Sequence, residues 1–153
     1  MAYDSRPDTQ KHAARVCELM SPVIAELTRR AGEHDASKME PPELEAYDAL
    51  TPRLKDLEYG SEEYRAGLRE MKPAIRHHYA ANRHHPEHFP DGIAGMTLTD
   101  LIEMLADWRA ATERGKDGSM RKSLEIQRGR FAIGDQLWQV LANTADHYGW
   151  TDT

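Results

Sequence analysis

Residues 76–92 read Arg-His-His-Tyr-Ala-Ala-Asn-Arg-His-His-Pro-Glu-His-Phe-Pro-Asp-Gly, and five of the chain's eight histidines fall within twelve positions there. Histidine is the commonest metal-ligating side chain and the one that titrates near neutrality. Such a grouping makes a metal site the first hypothesis. His77 and His84 are seven apart, as are His78 and His85. Seven residues make two turns of a helix, which would set two parallel pairs on neighbouring stripes. Imidazoles so placed can serve one dinuclear site, or one ion plus a substrate. The bland alternative is a solvated polar loop, with Glu87 and His88 outside any site.

Three more positions carry chemistry. His34-Asp35 is followed by Ala36-Ser37-Lys38. An adjacent imidazole and carboxylate at a helix end can aim at one ion, and a carboxylate can bridge two. Lys38, one turn on, can set a point charge beside a phosphate. The competing reading is a helix cap, since Asp35 and Ser37 both suit that role. Asp107 falls among Ile102, Met104, Leu105 and Trp108, with Glu103 one turn earlier. A carboxylate on such an apolar face needs a partner, because burying an unpaired charge is very costly. A metal ion is one such partner and an arginine is the other. His12 lies one turn before Val16. On its own it is more readily a half-exposed core histidine than a ligand.

Helices must carry these groups. Between Thr9 and Arg30, apolar residues Val16, Leu19, Met20, Val23, Ile24 and Leu27 are spaced for one inward helical face. Ser21-Pro22 predicts either a kink or the start of a second helix. Gly32 is a natural stop. A short helix is expected from Pro41-Pro42 through Leu50, then a connection over 51–60 closed by Tyr59-Gly60. Ser61-Glu62-Glu63 starts a helix running towards Arg83, with a kink at Pro73. Pro86, Pro90, Gly92 and Gly95 predict a loop over 86–96. Thr97 or Thr99 caps a helix from Leu98 to Arg114 bearing Leu101, Ile102, Leu105 and Trp108. A turn is expected from Gly115 to Gly118. Ser119 to about Tyr148 reads as helical with a break at Gly129, and with Leu124, Phe131, Leu137, Trp138, Leu141 and Ala145 as core candidates. No segment alternates like a strand, so the expected fold is an all-α bundle of five to seven helices.

Bulk properties narrow the function. With 153 residues, 39% apolar and 30% charged, the chain suits a single globular domain. No run approaches the length of a membrane span, and the N-terminus lacks the apolar core of a signal peptide. Cys17 is the single cysteine, so no internal disulfide can form, which fits a reducing cytoplasm. The net charge is −6, and no run of Lys or Arg is present. That balance argues against duplex DNA as a partner. It leaves room for a small phosphorylated substrate, because bound cations reverse the local charge.

The order His12, His34-Asp35, further histidines, Asp107 resembles the HD superfamily of metal-dependent phosphohydrolases over residues 10–110. His34-Asp35-Ala36-Ser37-Lys38 is similar to the His-Asp-x-Gly-Lys segment of its HD-GYP cyclic-dinucleotide branch. His84-His85-Pro86-Glu87-His88-Phe89-Pro90-Asp91-Gly92 is similar to that branch's His-His-Glu segment followed by Asp-Gly. Leu105-Ala106-Asp107 matches its closing Ala-Asp. The branch's Gly-Tyr-Pro element has no counterpart, since Ile93-Ala94-Gly95 follows Gly92. The His-Asp-Ala-Ser start also resembles small HD nucleotidases. The whole chain further resembles a group of small, largely uncharacterised proteins, many from phages, that share Asn-Arg-His-His-Pro-Glu-His.

The resemblance implies one HD-like domain over 1–153, with its metal core at about 10–110 and a further helical region at 119–148. It implies that His12, His34, Asp35 and Asp107 hold one divalent ion. Asp35 would bridge to a second ion held by His78, His84 and His85. Lys38 and Arg83 would hold phosphate oxygens, and Glu87 or an unligated histidine would transfer protons. A His/carboxylate set suits Mn, Fe, Co, Ni or Zn. The expected activity is hydrolysis of a nucleotide or similar small phosphoester by a metal-activated water. Two readings compete: an HD-type di-iron oxygenase, and a non-catalytic interaction protein stabilised by metal.

Overall fold

The computed structural model describes residues 3–55, 57, 61–114 and 118–151. The chain is all-α. Six α-helices occur among the described residues, within the expected five to seven, and no strand does. They are α1 (Arg6–Glu33), α2 (Glu43–Lys55), α3 (Glu62–Ala81), α4 (Leu98–Thr112), α5 (Met120–Arg130) and α6 (Asp135–His147), with short 3₁₀ turns at Ala36–Met39, Pro86–His88 and Gly92–Gly95. By internal contacts the chain gathers into two compact units, Met1–His34 and Asp35–Thr153. No helix among the described residues is long and apolar enough to cross a membrane.

The first unit is essentially α1. Pro22 lies inside it and does not end it. Proline removes one amide donor from the ladder. The Ser21 hydroxyl donates to the Cys17 carbonyl one turn back at 2.8 Å, so it serves the existing turn and starts no new helix. The stripe Val16, Leu19, Met20, Val23 and Ile24 is exposed, contrary to the inward face expected for it.

In the second unit, α2 and α3 pack on matched stripes. Glu43 and Leu50 are buried on α2, and Met71, Ala74 and His78 on α3. Both sets step by three, four or seven residues and so lie on single faces. At one end Glu43 meets His78; at the other Leu54 lies against Gly67, where a Cβ would fall 2.7 Å from Leu54 Cδ2. The two helices are therefore antiparallel. Pro73 is carried within α3. α2 continues past Leu50 to Lys55, and Tyr59-Gly60 lies outside the described residues.

α4, α5 and α6 enclose the apolar core of Leu101, Met104, Leu105, Trp108, Met120, Leu124, Ile133, Leu141 and Ala145. Phe131, Leu137 and Trp138 pack against its edge, half-buried rather than central. Ile102, expected on the inward face of α4, is exposed, and Met104 takes the fully buried place. The break between α5 and α6 falls after Arg130, where Ala132 turns left-handed at φ 49° and lets Ile133 fold into the core. Gly129 stays helical. Most of the turn expected at 115–118 lies outside the described residues.

Candidate metal centre

The centre starts where the second unit starts. Asp35 adopts a left-handed backbone, φ 58° and ψ 16°, just ahead of the turn Ala36–Met39. Aspartate is among the few residues that visit this region readily. α3 then delivers His78 from its buried stripe. The helix ends at Ala81, two residues short of Arg83. The Asn82 backbone and side-chain amides both donate to the His78 carbonyl, at 3.0 and 2.8 Å, and Pro86 follows shortly. His84 and His85 therefore sit in a reversing turn. The seven-residue spacing does not place them on helical stripes; the turn folds them back towards His78.

Asp35, His78, His84 and His85 each offer a ligand atom, all within 4.8 Å of one another. Asp35 Oδ1 lies 3.2 Å from His78 Nε2 and 3.5 Å from His84 Nε2. His78 Nε2 lies 2.8 Å from His85 Nε2. Ligands held at 2.0–2.2 Å around a tetrahedral ion stand roughly 3.3–3.6 Å apart. Closing or opening these gaps by a few tenths of an ångström would admit a divalent cation, so the donor set fits one.

Carboxylates stand behind two of the imidazoles. Glu43, fully buried, takes His77 Nδ1 at 2.7 Å and His78 Nδ1 at 2.9 Å. Glu103 takes His84 Nδ1 at 3.1 Å. An ionised carboxylate only accepts, so the proton of each ring belongs on Nδ1 and the Nε2 lone pair turns inward. Burial opposes ionisation of Glu43, yet hydrogen bonds from His77 and Ser37 and the charge of His78 bring it below the usual carboxylate range. Asp35 follows the same logic. Burial raises it, but hydrogen bonds from His78, His84 and Lys38, with the Lys38 charge, hold it well below that range. For His85, burial and then the neighbouring His84 and His78 push the imidazole down to about 3, so it is neutral and ready to ligate.

Several expected residues lie outside that four-residue group. His12 and His34 ride the same uninterrupted α1, His34 as its C-cap. At 1.5 Å per residue they stand about 33 Å apart, so one chain cannot bring both to a single ion. Asp35 gathers instead with His78, His84 and His85, the set expected at a second ion. Asp107, half-buried on α4, has a ligand atom within 4.8 Å of one on His84, and its charge acts on His85. Lys38 Nζ is 2.5 Å from Asp35 Oδ2 and faces the Tyr47 ring. Arg83 is engaged elsewhere: its Nε and Nη2 bind the fully buried Asp100 at 3.1 and 3.0 Å, and its guanidinium covers the Phe89 ring. Glu87 pairs with Arg130 at 2.6 Å. His88 Nδ1 bonds the Tyr79 carbonyl at 3.1 Å, and His77 is half-exposed; neither belongs to the four-residue group.

Sequence reasoning missed Glu43, which reads as an ordinary acidic residue in a helix's first turn. The available signal was its position on the α2 stripe, seven residues ahead of Leu50. Glu43→Gln is expected to lower affinity for a divalent ion 10- to 100-fold, the usual effect of losing such an orienting group. Titration against a competing chelator measures it. A lower melting temperature with unchanged ion affinity would make Glu43 a packing residue only.

No curated protein and no solved structure matches the chain. One family model does, over residues 1–147. The chain belongs to that family, described as a family of unknown function (DUF5662).

Proposed function

We propose that the protein is a metal-dependent phosphohydrolase acting on a nucleotide or similar small phosphoester. The observation that carries this reading is the convergence of Asp35, His78, His84 and His85 within 4.8 Å, with Lys38 against Asp35. A bound divalent ion supplies Lewis acidity towards water and phosphoryl oxygens. Asp35 contributes the negative charge that draws the ion. Glu43 and Glu103 hold the rings in the ligating orientation. Lys38 lies half-buried beside Asp35, where its ammonium can turn to a phosphate oxygen. Mn, Fe, Co, Ni and Zn all suit the donors.

A closed structural site is the second reading. One aspartate and three histidines are enough to fill a tetrahedral sphere around zinc, leaving no position for water. Elemental analysis of the purified protein, followed by a nucleotide and phosphoester panel with each metal, separates the two. Metal-dependent turnover is the expected result. Stoichiometric metal with no turnover on any ester would favour the structural site, and bound iron with oxygen consumption would favour oxygenase chemistry.

A further inference from the structure

The phosphoester reading needs a cation at the rim of the centre that is able to let go of its present partner. Arg83 is not suited. Both of its contacting nitrogens are committed to a carboxylate with no solvent exposure. Releasing it would leave Asp100 as a buried charge.

Arg130, the last residue of α5, is differently placed. Its Nη2 contacts Glu87 Oε1 at 2.6 Å and Tyr79 Oη at 3.4 Å. Its side chain is 49% exposed and that of Glu87 29%. The Tyr79 ring in turn stands 4.7 Å, centroid to centroid, from the His85 ring. Tyr79 is thus a wall with His85 against its face and the Arg130 guanidinium at its hydroxyl end. The guanidinium stacks on the Phe131 ring at 4.7 Å, which fixes its plane. A single-point, solvent-accessible ion pair is worth little. An arriving phosphate with two oxygens in the guanidinium plane makes the stronger contact.

We infer that Arg130 is the anion-holding residue of this site, that Tyr79 aligns it with the metal centre, and that a substrate phosphate displaces Glu87 from the guanidinium. Glu87 is then a competitor for the arginine rather than a proton donor. This rests on the phosphoester reading above.

The test uses inorganic phosphate titrated into the full-length, Mn²⁺-loaded protein, followed by phosphorus NMR or calorimetry. Arg130→Ala is expected to weaken phosphate binding at least tenfold with Mn²⁺ affinity and melting temperature unchanged. Arg130→Lys should recover part of the loss. Glu87→Gln should act in the opposite direction and tighten phosphate severalfold, because it frees the guanidinium. A merely structural ion pair would move both variants the same way. If wild-type protein binds phosphate and Arg130→Ala binds it equally well, the inference fails and the phosphohydrolase reading stands. If Glu87→Gln weakens binding as Arg130→Ala does, the displacement is wrong. If metal-loaded wild type binds no phosphate, both the inference and the reading it rests on are overturned.

Discussion

Asp35→Asn is expected to bring metal-dependent turnover to background and to weaken divalent-ion binding by more than about a hundredfold, beyond the usual effect of losing an outer partner. The carboxylate faces His78 and His84 and carries the site's inner negative charge. The asparagine keeps the shape and removes the charge. The backbone should not object, since asparagine, like aspartate, accepts the left-handed region at φ 58°. Circular dichroism should therefore report an intact helical fold. Lys38→Ala, by contrast, removes the cation beside Asp35 without touching a ligand atom. It should leave ion binding in place and act on phosphate binding or the rate. Wild-type hydrolysis by Asp35→Asn would place the activity elsewhere.

Arg83→Ala is expected to destabilise the fold by about 1–3 kcal/mol, the range for taking one charged partner from a buried acceptor, the guanidinium itself being half-exposed. For a protein of this size each kcal/mol corresponds to roughly 2–4 °C in melting temperature. Asp100 is fully buried and also accepts from the Thr97 amide and hydroxyl at 2.8 and 2.7 Å, closing a capping box at the start of α4. The arginine therefore ties the turn carrying His84 and His85 to the helix carrying Glu103. Asp100→Ala should be nearly as damaging, and the double variant should cost clearly less than the sum, since the two act as a unit. Thermal denaturation of the metal-free variants measures this. A change in substrate KM at unchanged melting temperature would return Arg83 to the substrate-binding role that its place in the motif suggested.

The helical class was legible because apolar spacing reports one-sided burial. It worked best where the partner lay close in sequence, as on α4 and α6. It failed on α1, where the same spacing marks a face that is exposed. Spacing shows that a face is apolar, and not what covers it. Of the two outcomes expected at Pro22, the start of a second helix does not occur: one missing amide bond is tolerated when neighbouring turns, here with Ser21, hold. At the centre, residue type revealed the histidines. Which three converge depends on where α3 stops: it ends at Ala81, so His84 and His85 fold back instead of continuing the helix. The partner of Arg83 was not legible because it lies 17 positions away, on another element. The outer carboxylate Glu43 was hidden for the same reason, its ring lying 35 positions off, whereas Glu103 stood out beside Asp107 but its partner His84, 19 positions away, did not.

The packing of carboxylates behind imidazoles has a consequence for how the site handles hydrogen ions. Asp35, Glu43, Glu103 and Asp107 surround three histidines in a confined space. Such a concentration of negative charge has to be compensated, in part by the Lys38 ammonium against Asp35 and otherwise by a proton or a metal ion. An arriving divalent ion takes the place of protons, because the ligands bind it only in their deprotonated forms. Uptake is then an exchange rather than an addition. Its heat would vary with the ionisation enthalpy of the buffer, and its strength would fall in acid because the competing cation becomes more abundant.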